Sequence, residues 1–154
     1  DGSGISNTLC WNVEKTIFYF GDTLKNEIRA YDYDSKTGSI SNGRPFFTGF
    51  ERGLPDGSTI DIDGYLWNCR YGGACVVRVS ANGEIDCVIE MPVKNITTCA
   101  FGGADASTLF VTTACAQKDE RDRLAGSLFS IQMDTAGLPE NKFITAICNE
   151  MEQS

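Results

Sequence analysis

Asn7, Asp56 and Thr97 each stand at the head of an apolar run in this chain of 154 residues. An amide, a carboxylate and a hydroxyl offer only oxygen donors. An amide carbonyl and a carboxylate brought together suit a hard cation, Ca²⁺ first and then Mg²⁺ or Mn²⁺, with water filling the remaining positions. Zn²⁺ is less preferred, because the chain has no His and its seven cysteines lack zinc spacing. Taken singly these residues say little. Pro55-Asp56-Gly57 is a common turn former, and Asn7 could cap its own turn. Asp61, Asp63 and Gly64 have neither the spacing nor the closing Glu of an EF-hand, and read as a hairpin turn.

What singles the three out is a repeat. Ser6-Asn7-Thr8-Leu9-Cys10-Trp11 aligns with Pro55-Asp56-Gly57-Ser58-Thr59-Ile60 and with Ile96-Thr97-Thr98-Cys99-Ala100-Phe101, which puts Asn7, Asp56 and Thr97 in register. A polar or glycine-rich turn follows each opening run, at Asn12 to Lys15, Asp61 to Gly64 and Gly102 to Asp105. Second strands are then expected at Ile17 to Phe20, Leu66 to Cys69 and Leu109 to Thr112. Third strands are expected at Ile28 to Tyr31, Val76 to Val79 and Leu128 to Ile131. Fourth strands fall near Pro45 to Thr48, Ile85 to Ile89 and Phe143 to Ile147. Gln117 to Leu124 is short and strongly charged, and reads as a surface loop. Trp11 and Trp67 both read as core.

Four antiparallel strands in each unit of roughly 40 to 50 residues predict an all-β fold of the β-propeller type. The chain would form a single domain over 1–154, half of a six-bladed propeller. Its three four-stranded blades would lie at about 5–50, 54–92 and 96–148. A generic β-sandwich is the competing architecture. Innermost propeller strands begin at the axis, so Asn7, Asp56 and Thr97 are expected to converge at one end of a central channel, with Thr97 as lining.

The net charge of −8 is spread along the chain, and no basic cluster offers a track for phosphates, so nucleic acid is not an expected partner. No apolar run approaches the roughly 20 residues that span a bilayer, and the opening Asp1-Gly2-Ser3-Gly4 has no signal-peptide pattern. The expectation is a cytoplasmic protein without membrane contact. An odd number of cysteines, mostly within strand-like runs, reads as reduced packing residues.

Ile5-Ser6-Asn7, Ile28-Arg29-Ala30-Tyr31-Asp32-Tyr33-Asp34, Thr37 to Asn42, Gly53-Leu54-Pro55-Asp56-Gly57, Asp63 to Trp67 and Cys99-Ala100-Phe101-Gly102-Gly103 together resemble the gluconolactonase, regucalcin and luciferin-regenerating-enzyme family. The resemblance runs from about Ile5 to about Ile131, and corresponds to that family's second half. It implies that Asn7 and Asp56 are ligands of a divalent metal. Asp56 would also be the catalytic proton acceptor for a metal-bound water that opens a sugar lactone. A carboxylate on a dication has a depressed proton affinity, so the base role needs a second position or a transiently freed oxygen. The family's third ligand, a carboxylate from its first half, has no counterpart here, nor have its substrate-binding Arg and Asn. Thr8 stands where the family has Gly, which makes a positive φ costly at that position.

The function implied by the resemblance is metal-dependent hydrolysis of a small-molecule sugar lactone, the chain supplying part of the active site. Two alternatives come from other classes: a calcium-binding regulatory protein without turnover, and an interaction scaffold. Three blades would leave apolar faces open, so the expected partner is either the missing half-propeller or a second copy that makes a dimer.

Overall fold

The computed structural model describes residues 2–115 and 123–139. Eleven strands follow one another in these residues. The first sheet holds β1 (Ser6–Trp11), β2 (Ile17–Asp22), β3 (Glu27–Asp34) and β4 (Ser39–Thr48). The second holds β5 (Leu54–Ile60), β6 (Leu66–Tyr71), β7 (Cys75–Val79) and β8 (Ile85–Glu90). The third holds β9 (Ile96–Gly102), β10 (Thr108–Thr113) and β11 (Leu128–Gln132). Every pair is antiparallel and joins chain neighbours.

A short polar side chain closes the first hairpin of each sheet. Asn12 Oδ1 accepts the N–H groups of Thr16 and Ile17, both at 2.8 Å. Asp61 Oδ1 accepts those of Asp63 and Tyr65, at 3.0 and 2.9 Å. Asp105 Oδ1 accepts Ser107 N–H at 3.1 Å. Such side chains replace backbone partners that a tight turn leaves unpaired.

The second sheet lies between the other two. One core packs Cys10, Tyr19, Ile28, Ala30 and Phe47 of the first sheet against Ile60, Leu66, Cys75, Val77 and Val79 of the second. A second core packs Trp67, Cys69 and Val76 against Ile96, Cys99, Phe101, Leu109 and Val111 of the third. This explains why β6 and β7 are buried at nearly every position whereas β11 alternates. A strand covered on both faces has no water-facing side to make polar. Where β5 meets β9, Gly57 is required. A Cβ there would overlap the Thr98 side chain and stand 2.9 Å from Thr98 Cα.

The propeller expectation is corrected by this architecture. The sheets have four, four and three strands, and none is closed into a barrel or curled into a propeller blade. A repeat of strands and turns dictates pairing within each unit, but does not make the units curl around an axis. The all-β class and three antiparallel sheets remain. The fourth strand expected at Phe143 to Ile147 and most of the Gln117 to Leu124 loop lie outside the described residues, as does Cys148.

Two smaller expectations also change. Trp67 is core, its indole N–H held by Asp61 at 2.8 Å, but Trp11 is 38% exposed, against Phe18 and Tyr33. Strand alternation points Trp11 away from the Cys10 face that packs on the second sheet. Cys10, Cys69, Cys75 and Cys99 are buried, whereas Cys87 and Cys115 are exposed. Among the described residues no helix is long and apolar enough to cross a membrane.

Candidate functional site

The three opening strands run side by side, with β1 against β5 and β5 against β9. Each breaks register with its hairpin partner at the aligned position. On β1, Asn7 pairs with Gly21 and Leu9 with Phe20, which leaves Thr8 extra. On β5, Pro55 pairs with Arg70 and Ser58 with Asn68, so Asp56 and Gly57 oppose Cys69 alone. On β9, Ile96 pairs with Thr113 and Thr98 with Thr112, which leaves Thr97 extra. One added residue bends a strand and re-aims the adjacent side chains, a device found beside functional sites.

Thr8 sits at φ 51°, an uncommon conformation for a β-branched residue. Its surroundings hold it there. The side chain is buried, Gly21 opposite leaves room for its Cβ, and Thr8 Oγ1 donates to Asp56 O at 2.8 Å. With that proton committed, Ser58 Oγ donates to Thr8 Oγ1 at 2.7 Å and in turn accepts Asn68 Nδ2 at 2.9 Å. Arg70 Nη1 closes the chain by donating to Asn68 Oδ1 at 3.1 Å. Thr8→Val keeps the shape and the strained backbone but strands the buried Asp56 carbonyl. It is expected to cost about 1–3 kcal/mol, read as a lower urea midpoint with unchanged slope. A midpoint equal to the wild type would mean that the hydroxyl contributes nothing.

Asn7 is half-buried, and its Nδ2 donates to Thr23 Oγ1 at 2.8 Å. Thr23 Oγ1 donates to Pro55 O at 2.7 Å. The heads of β1 and β5 are therefore joined at successive carbonyls, Pro55 by Thr23 and Asp56 by Thr8. Asp56 is half-buried too. Burial raises its carboxyl above the ordinary range, and only the Gly57 N–H opposes this. Asp22, Asp32, Asp34 and Asp105 go the other way, each held low by hydrogen bonds to its carboxylate. Among the described residues no Lys or Arg forms an ion pair with Asp56.

Thr97 is placed beside this pair without joining it, its Oγ1 lying 2.7 Å from Thr112 Oγ1. A cleft of about 480 Å³ opens between the downstream halves of the same three strands, bordered by Cys10, Trp11, Ser58, Cys99 and Phe101. It includes none of Asn7, Asp56 and Thr97. The chemistry-bearing residues thus lie at the strand heads, not in that cleft.

No group of three or more His, Cys, Asp or Glu that could hold a metal occurs among the described residues. The metal-binding expectation is corrected to this extent: the described residues do not form a cluster that could hold an ion by itself, and Asp56 contributes one carboxylate and Asn7 one amide at the strand heads. In donor type the two fit a hard cation, but they are fewer than the about six to eight oxygens of a calcium shell. Thr23 and Asn68 escaped the sequence reading, and Thr8 was read there for its backbone and not for its hydroxyl. Thr23 lies outside the aligned repeat segments, 16 residues from Asn7 and 32 from Pro55, and the Asn68 amide has no counterpart in them.

Residues 1–115 match the family model described as the SMP-30/Gluconolactonase/LRE-like region. The chain is 43% identical over 145 residues to a Bacillus subtilis protein named for sugar lactone lactonase activity, covering 89% of this chain and 49% of that protein. It is 38% identical over 146 residues to regucalcin of Bos taurus, covering 90% and 49%. The crystal structure of a calcium-binding regucalcin from Agrobacterium tumefaciens superposes with a TM-score of 0.80 at 33% identity, covering 87% of this chain and 48% of that one. The chain spans about half the length of the relatives it matches.

Proposed function

This chain belongs to the SMP-30/gluconolactonase/LRE-like family, and from that premise we propose that it binds a divalent cation, calcium first, through Asn7 Oδ1 and the Asp56 carboxylate. The remaining ligands come from groups outside the described residues. The observation that carries this reading is the state of Asp56: a half-buried carboxylate, disfavoured by its surroundings as an anion, with no cationic partner among the described residues. A carboxylate removed from water is costly unless paired or coordinated, and a dication supplies that compensation. The Agrobacterium tumefaciens regucalcin, described as a calcium-binding protein, supports the same reading.

A second reading is favoured by the relative named for lactonase activity. A small sugar lactone would be opened at the same place, once groups outside this chain complete the site. The bound cation would polarise the lactone carbonyl and acidify a water. Asp56 would be the residue to accept that water's proton. Without those outside groups the chain binds cations and does not turn over substrate.

Calorimetric and thermal-shift titrations with Ca²⁺, Mg²⁺, Mn²⁺ and Zn²⁺ test this. Saturation at 100 times the dissociation constant is expected to stabilise the wild type by about 2.7 kcal/mol, and Asp56→Ala to abolish the shift. Equal shifts in both proteins would remove Asp56 from the site. Proton release from an added lactone, measured on the same samples, separates binding from hydrolysis.

A further inference from the structure

We infer that Thr23 is a positioning residue that fixes which end of the Asn7 amide is offered to a cation. The inference rests on the cation-binding reading above. An asparagine ligand binds through its oxygen, and its amide nitrogen in the same place would repel the ion. Something must therefore choose between the two orientations of the amide.

The hydrogen-bond directions make that choice. Thr23 is 8% exposed, so its hydroxyl has little access to water. A hydroxyl has one proton to give. The Pro55 carbonyl takes that proton at 2.7 Å. Toward Asn7 the Thr23 oxygen is then only an acceptor, and the group 2.8 Å away must be the Nδ2 donor. Asn7 Oδ1 is thereby turned away from Thr23. Reversing the amide would face two acceptors against each other in a nearly dry position.

The hydroxyl is itself held by a fixed backbone. Thr23 N–H donates to Ile5 O at 3.0 Å, and Thr23 O accepts Asn26 N–H at 3.2 Å. One residue in the β2–β3 turn thus reaches the strand before Asn7 through its main chain, and both Asn7 and the residue preceding Asp56 through its side chain. Its effect on a cation passes entirely through Asn7, since Thr23 has no spare donor or acceptor direction aimed at the Asp56 carboxylate.

The test is calcium calorimetry on the full chain carrying Thr23→Val, which keeps the shape and removes the hydroxyl, and Thr23→Ser, which keeps the hydroxyl. Thr23→Val is expected to weaken Ca²⁺ binding about tenfold and Thr23→Ser to stay within about threefold, the scale of one hydrogen bond. In an Asn7→Ala background the Thr23→Val change is expected to add no further loss, which a merely structural role would not produce. Wild-type binding with unchanged affinity in Thr23→Val, or the same loss in the Asn7→Ala background, overturns the role of Thr23 alone. Absence of saturable Ca²⁺ binding in the wild type overturns the cation reading and this role with it. If Thr23→Val does not fold, the Asn7 side-chain NH₂ resonances of the cation-free wild type decide. A restrained, hydrogen-bonded amide supports the assignment, and a freely rotating one overturns it.

Discussion

An Arg70→Met variant is expected to lose about 3–5 kcal/mol of stability, because it leaves several buried or part-buried acceptors unpaired at about 1–3 kcal/mol each. Arg70 is 1% exposed. Its Nε donates to Arg52 O at 3.0 Å, and its Nη2 donates to Asn26 Oδ1, Phe50 O and Gly53 O at 2.6, 3.1 and 2.7 Å. With the bond to Asn68 these contacts engage all three guanidinium nitrogens. No carboxylate pairs with it among the described residues, so its charge is offset by carbonyl dipoles and by the Phe50 ring, whose centroid lies 5.1 Å away. Burial lowers its pKa to about 10, which leaves it a cation at neutral pH. Methionine fills the space of the stem but leaves those acceptors buried and unpaired. Arg70→Lys keeps the charge without the planar fork and should fall between the two. Equilibrium urea denaturation reads the effect. A loss for Arg70→Met below about 1 kcal/mol would show that water or rearrangement satisfies the acceptors.

Asp61→Ala is expected to be as severe, about 3–5 kcal/mol, because it removes the buried partner of the half-buried Arg78 and leaves the Trp67 indole and two turn N–H groups unpaired. Asp61 is fully buried. Besides the turn N–H groups and the Trp67 indole, it receives Arg78 at 2.8 Å through Nε and 2.7 Å through Nη2. Arg78 also reaches Asp63 at 3.2 Å and Asp86 at 3.0 Å, and lies 3.8 Å over the Tyr65 ring. The same turn docks the last described segment: Asp61 forms a bridge with Gly137, and Ile62 N–H donates to Ala136 O at 2.9 Å. Hydrogen exchange should therefore show loss of protection in Asp61→Ala both at the Tyr65 N–H, which the Asp61 carboxylate accepts, and at the Ile62 N–H, which donates to Ala136 O. Loss at Tyr65 alone would mean that the docking is independent of the carboxylate. Asp61→Asn retains one acceptor and is expected to be milder.

Strand positions were readable because apolar runs and Gly or Asp turns are local signals. The register of Asn7, Asp56 and Thr97 was readable because a repeat makes distant positions comparable. Architecture beyond the sheets was not: nothing local says whether stacked sheets curl, and the propeller expectation failed there. Thr23 and Arg70 were invisible for another reason. Their roles depend on which carbonyls of other segments come within reach, Pro55 for Thr23 and Phe50, Arg52 and Gly53 for Arg70, and that is a property of segments brought together by the fold. Arg70 even runs against the pattern, a cation within an otherwise apolar strand, which was a usable hint of a buried polar hub. The Asp61 turn was recognised as a hairpin, but its grip on Arg78 needs residues 17 positions apart to meet.

The unmatched residue at the head of β1, β5 and β9 also restricts how these strands can change. A strand bearing such an offset cannot slide past its neighbour by two places without carrying the offset into a regular stretch, so each head acts as an index mark. Length changes are tolerated where no mark is crossed, chiefly in the exposed Asn12 to Thr16 hairpin. Loop grafts there should leave the donor atoms of Asn7 and Asp56 where they stand, which makes this tip the natural attachment point for a reporter or tether.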